Sequence, residues 1–280
     1  MKQIDKVVQT LIINGTFNEQ PGLFYGKTGI AIFFFHYARH SGKRLFQDYA
    51  FDLFEEIKKQ LTISESTRYD IGLSGIGVGV EYLLQNGFIE AINDDLFNDF
   101  DARMYRAAMY EPYPNLSIEE GVAGLGRYFI HRIRGKCNIN YKLHEALSHI
   151  IKEISNKIEE NSVPENEQPD VCRFFYDLST IPDYTEKIVD SFKLCREWKC
   201  IDKPDIQNIF PYMSHLQRLF VCQKYLNKDL KKEIEMEWAK WEDSNNDLLT
   251  DMGLQNGWSA EGLLYLTFFF NYDVSWIDLL

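Results

Sequence analysis

The sequence predicts an all-α fold, an α/α toroid (barrel) of about six helical hairpins, and three observations carry that prediction. A Gly-x-x-Gly motif followed by an apolar stretch begins at Gly26, Gly72 and Gly121, at intervals of 46 and 49 residues. Between these motifs the hydrophobic residues follow a helical period. No window alternates apolar and polar residues as a half-buried strand does, so strands are not expected in quantity.

In chain order, Gly26-Lys27-Thr28-Gly29-Ile30 opens the run Ile30-Ala31-Ile32-Phe33-Phe34-Phe35. A helix apolar on every side must be enclosed on every side. Leu45, Tyr49, Leu53, Ile57 and Leu61 then recur every four residues, beside Phe46, Ala50 and Phe54, with Asp48, Asp52, Glu55, Glu56, Lys58 and Lys59 opposite. That pattern predicts a helix with one buried and one wet face. Gly72-Leu73-Ser74-Gly75-Ile76 and Gly121-Val122-Ala123-Gly124-Leu125 repeat the motif, and Leu143, Leu147, Ile150, Ile151, Ile154 and Ile158 mark a further amphipathic helix. The stretch from Asn161 to Pro169 is a loop, but the helical period resumes after it, so residues 1–280 are read as a single domain.

A fourth copy, Gly257-Trp258-Ser259-Ala260-Glu261-Gly262, keeps the first glycine, replaces the second with Ala260, and leads into the apolar run Leu263 to Phe270. The 136 residues from Gly121 to Gly257 hold room for two degenerate copies, expected at Asp170-Val171-Cys172-Arg173-Phe174-Phe175 and Tyr212-Met213-Ser214-His215-Leu216. Amphipathic helices would form an outer layer around apolar inner ones. Enclosure of the inner helices favours a closed ring over an open solenoid. The turn glycines are expected to supply a positive φ, and Gly75, Gly77 and Gly79 to let inner helices approach closely.

The composition is 45% hydrophobic and 26% charged, which excludes a disordered chain. A net charge of −12 argues against nucleic acid and against an anionic membrane surface as partners. No apolar run approaches the roughly 18–20 residues needed to cross a bilayer, and the start, Met1-Lys2-Gln3-Ile4-Asp5-Lys6, lacks a signal-peptide core. The cysteines Cys137, Cys172, Cys195, Cys200 and Cys222 are odd in number. Cys195 and Cys200 have four residues between them where C-x-x-C has two. No disulfide framework is expected, and the cytoplasm is the expected compartment.

Gly22-Leu23-Phe24-Tyr25-Gly26-Lys27-Thr28-Gly29-Ile30-Ala31 resembles the repeat signature of the lanthionine synthetase C-like (LanC-like) family, and so does Gly72-Leu73-Ser74-Gly75-Ile76-Gly77-Val78-Gly79-Val80-Glu81-Tyr82-Leu83-Leu84. The resemblance implies an α/α barrel, in the family built of seven hairpins. It also implies zinc enzymes that add a Cys thiol to a dehydrated Ser or Thr of a ribosomally made peptide. Their metal is held by two Cys and one His, from a Cys-His-Gly sequence and a Trp-Cys-x-Gly-like turn, and it presents a thiolate as nucleophile. This sequence has no Cys-His pair, and Trp258 is followed by Ser259. Cys172 and His215 fall near the degenerate turns, but two ligands without the surrounding glycines do not make a zinc site. No metal and no cofactor are expected.

Other chemistries are poorly supported. Gly22 to Thr28 has three residues between its glycines where a phosphate-binding loop has four, and it carries two aromatics. No Gly-x-Ser-x-Gly elbow is present. Asp70, Glu119, Glu120 and Asp251 each stand one or two residues before a glycine of a Gly-rich turn. In a toroid such turns converge at one mouth. There the acids would cap helices, attract a basic ligand, or act as acid and base on a glycan. Tyr25, Tyr69 and Trp258 would offer flat surfaces beside them. The resulting expectation is a LanC-like protein without the zinc site. It would bind a precursor peptide through Asp70, Glu120, Asp251, Tyr25, Tyr69 and Trp258, as an accessory in its maturation or export. A glycan hydrolase using the acidic mouth and a protein-interaction scaffold are the alternatives.

Overall fold

A computed structural model describes residues 3–61, 66–90, 95–135, 141–185, 213–225, 229–243 and 251–280. Cys137, Cys195, Cys200 and Tyr212 lie outside the described residues. Twelve α-helices are seen among them: α1 (Gln3–Gly15), α2 (Lys27–Ser41), α3 (Arg44–Leu61), α4 (Leu73–Gln85), α5 (Asp95–Tyr110), α6 (Val122–Gly135), α7 (Tyr141–Glu159), α8 (Gln168–Ser179), α9 (Pro182–Thr185), α10 (His215–Tyr225), α11 (Lys231–Asp243) and α12 (Trp258–Phe270). A short 3₁₀ turn, Ser275–Leu279, follows. No strand occurs among the described residues. The chain divides into two compact units, one of residues Met1–Glu65 with Pro211–Leu280, the other of Ser66–Phe210.

In the first unit α2 is buried continuously from Lys27 to His36, as its all-round apolarity requires. It pairs with α3, while α12 packs on α1 and α2, and α10 on α11. Phe34 meets Phe46 and Tyr49 of α3 with ring centroids 6.1 and 4.8 Å apart. Gly262 lets α12 approach: a Cβ there would stand 2.9 Å from Val7 Cγ1 of α1 and 2.8 Å from Phe33 Cδ2 of α2. The buried stripe of α3 is Phe46, Ala50, Leu53 and Ile57, whereas Leu45 is exposed. The reason is geometric. Steps of four residues drift by about 40° each on a helix of 3.6 residues per turn, so Leu45 stands about 80° from Leu53 and about 100° from Phe46, outside the buried stripe. Enclosure of α12 likewise ends early, with Phe269 and Phe270 exposed.

In the second unit α4 packs on α6, α6 on α7 and α8, and α5 on α7. Gly77 serves the predicted close approach, since a Cβ there would stand 2.5 Å from the Tyr128 ring. Whereas α2 buries one cation, Lys27 at its start, α6 buries two, Arg127 and Arg132. Arg132 bridges Asp101 of α5 through Nε (3.0 Å) and Nη2 (3.1 Å) and donates from Nη1 to Glu81 of α4 (2.5 Å), while the Tyr128 hydroxyl donates to Asp101 (2.6 Å). Arg127 donates to Asp177 of α8 at 3.0 Å. These contacts tie three inner helices and α5 together through fully engaged groups, the condition under which buried charge is tolerated.

Candidate functional site

The glycine turns share one construction. The first N–H of each following helix donates to the carbonyl seven residues earlier: Lys27 to Gln20 (2.8 Å), Leu73 to Ser66 (2.9 Å), Val122 to Asn115 (3.1 Å) and Trp258 to Asp251 (3.0 Å). A folded-back loop thus satisfies helix N–H groups that would otherwise lack partners, and α2, α4 and α12 have no side-chain cap. The first glycines do not supply positive φ. Gly26, Gly72 and Gly257 are extended, at φ −127°, −113° and −115°. They are required because the loop lies against them. A Cβ at Gly26 would stand 2.6 Å from Gly22 N, at Gly72 2.6 Å from Ser66 O, and at Gly257 2.6 Å from Gly253 O. Positive φ is found instead at Gly42 and Gly87, where helices end.

Neighbouring loops are stitched by their backbones. In the first unit Gln255 N–H donates to Phe24 O (3.0 Å), and in the second Tyr69 and Asp70 N–H both donate to Glu119 O (2.8 and 3.1 Å). At the degenerate turns side chains take over. Asp170 accepts from Ile118 N (3.0 Å), Glu167 accepts from Leu116 N (2.8 Å), and the fully buried Gln217 donates to Leu254 O (2.7 Å).

The six candidate residues fall into two groups. In the second unit Asp70 and Glu120 come together through Arg68, a residue the sequence reading passed over. Arg68 Nε donates to Asp70 Oδ1 at 2.9 Å, Nη2 to Oδ2 at 2.5 Å, and Nη1 lies 3.1 Å from Glu120 Oε2. The bonded Asp70 carboxylate beside it raises the Arg68 pKa further above its already high value. Asp70 is buried, whereas the Arg68 and Glu120 side chains are each about two-fifths exposed. Tyr69 is buried, its ring 4.9 Å from the Arg127 guanidinium. In the first unit Asp251 is exposed and Tyr25 half-buried, on the two loops joined by the Gln255–Phe24 bond. Trp258 is largely buried, with Lys6 Nζ 5.6 Å from its ring centroid.

The architecture is matched by a solved structure, "Nisin cyclase", over 99% of this chain and 96% of that one, with a TM-score of 0.59 and 12% sequence identity. The fold is LanC-like. No family model matches the sequence, and no curated protein matches it.

The zinc donors that the resemblance implies do not fit. Ser259 occupies the residue after Trp258, and its hydroxyl donates to Met252 O (2.5 Å), as Thr28 Oγ1 donates to Pro21 O (2.6 Å) in the first loop. Ser259 is therefore a loop-closing hydroxyl in the register where a thiolate would be needed. Among the described residues no group of three or more His, Cys, Asp or Glu is placed to hold a metal ion. Cys172 lies on α8 in the second unit and His215 on α10 in the first.

One group escaped the sequence reading although the register could have revealed it. Four residues after the first glycine stand Ile30, Ile76 and Leu125, all buried, and in the fourth copy Glu261, 3% exposed. Burial alone raises its pKa from 4.5 to about 8.

Proposed function

We propose that this chain binds a peptide through its glycine-turn loops and works without the zinc site, as an accessory in the maturation or export of a ribosomally made peptide. The observation that carries the reading is the pairing of a LanC-like fold with a third-ligand register closed by Ser259. Each unit offers its own surface for a basic or mixed-charge segment: the half-exposed Arg68–Glu120 pair in one, and in the other Asp251 and Tyr25, on loops joined by the Gln255–Phe24 bond. The overall charge of −12 favours such a ligand. A glycosidase needs two carboxyls free to face one sugar bond, whereas both Asp70 oxygens are occupied by Arg68.

A fluorescein-labelled lysine-rich peptide of about 20 residues, followed by anisotropy against an acidic control of equal length, tests the reading. E120Q and D251N should each weaken binding severalfold and flatten its salt dependence. Loss of glycan turnover in these variants would instead support the hydrolase alternative, and unchanged binding would contradict the loop site.

A further inference from the structure

Arg68 does two separable things in the loop before α4. Its backbone does what the fold asks of that register. Four residues before the first glycine of each turn stand Gly22, Arg68, Ser117 and Gly253, with backbone atoms 2.6 to 2.8 Å from a Cβ built on that glycine. Two glycines and a serine meet the requirement in the other loops, so the construction needs no cation there. The guanidinium is an addition, and it stands among carboxylates. Asp70 of its own loop and Glu119 and Glu120 of the neighbouring one all act on it electrostatically.

The guanidinium is held unevenly. Nε and Nη2 are spent on the two oxygens of Asp70, a fork-to-fork pair whose carboxylate side chain is only 4% exposed. Asp70 is fixed further by the Ile71 N–H, which donates to Oδ1 (2.8 Å). Nη1 reaches Glu120 Oε2 instead, across a pair in which both side chains are about two-fifths exposed. Such a pair gains little over water, because solvent screens it and both side chains give up freedom to hold it. Glu120 also accepts from Asn115 Nδ2 (3.3 Å) through its other oxygen, so it stays in place when it lets Arg68 go. One arm of Arg68 is therefore anchored and the other exchangeable.

In the peptide-binding reading Glu120 is offered to a basic side chain, yet in the free protein a basic side chain is already on it. We propose that Arg68 is an internal competitor for Glu120, an autoinhibitory contact that a lysine or arginine of the peptide displaces on binding. Charge is conserved in the exchange: Glu120 trades one cation for another, Arg68 keeps Asp70, and no covalent bond changes. A single dilute cation gains little by replacing a guanidinium tethered beside Glu120, whereas a segment held at further points delivers its base at high effective concentration. The contact rests on the peptide-binding reading and adds to it a selection of multiply basic segments over single basic residues.

The test is anisotropy of the fluorescein-labelled lysine-rich peptide with two variants that keep the net charge of the protein. R68K leaves an ammonium for the buried Asp70 but not the planar fork that spans Asp70 and Glu120 together. R68Q/D70N removes the buried pair as a unit. Both should bind the peptide about two- to fivefold more tightly than the wild type, the range of an exposed ion pair. E120Q added to either should erase the gain. Damage to the loop would weaken binding, so the sign of the change separates competition from a merely structural role. Unchanged or weaker binding by R68K overturns the proposal, even if R68Q/D70N fails to fold, while binding by the wild type leaves the peptide reading standing. No binding by any of these forms rejects both.

Discussion

Glu261 and His36 are buried ionisable groups whose effects on stability have opposite signs. Glu261 is raised from 4.5 to about 8 by burial, so folding takes up a proton. Its contribution is fully present below pH 4.5, declines as pH rises, and is lost above about 8. E261Q should remove that decline and stabilise the protein at pH 7 by up to about 3 kcal/mol, read from urea unfolding across pH 5 to 9. His36 is lowered from 6.5 to about 3, chiefly by burial, which the Asp273 charge partly offsets and the Arg39 charge reinforces. His131 is lowered in the same direction by burial and by Arg127, Arg134 and Arg173. Both histidines stay neutral in the fold. Stability is therefore present above pH 6.5 and falls as pH drops from 6.5 toward 3. H36Q should reduce that acid slope by about one proton, and an unchanged slope would count against the buried neutral ring.

At the scale of the element, the turn glycines serve contact rather than dihedral freedom. G257A should cost about 2–4 kcal/mol, because its Cβ would meet Gly253 O and N at 2.6 and 2.8 Å. G42A, at φ 68° with nothing within 4 Å, should cost only about 1 kcal/mol. The reverse order in chemical denaturation would restore the dihedral explanation. At the degenerate turn, D170A leaves Ile118 N–H unpaired and should cost about 1–3 kcal/mol. The recurrence of Gly26, Gly72, Gly121 and Gly257 made the inner-helix starts legible, because backbone against backbone admits only glycine. The substitutes were not legible. Asp170 and Gln217 do with side chains what other loops do with carbonyls, and sequence spacing carries no sign of that exchange. Arg68 was missed for a similar reason: an i, i+2 pair in a loop has no period to reveal it.

At the scale of the whole chain, 99% of it matches the fold of nisin cyclase at 12% identity, and the features legible in the sequence that agree with that fold are the repeat spacing of about 45 residues and the helical period. What that spacing could not show is that charge lies inside the second unit, in the Arg132–Asp101–Glu81 network. An Arg on a helix reads as a surface residue until its partners on two other helices are placed. D101N should destabilise that unit by about 3–5 kcal/mol, as removal of one partner from a buried charge network does, seen as a lowered melting temperature. The functional claim is binding without a metal. Its most direct measurement is anisotropy of the lysine-rich peptide against the protein in EDTA, repeated with one equivalent of zinc. Saturable binding of equal strength is expected in both; binding that appears only with stoichiometric zinc would overturn metal-free recognition.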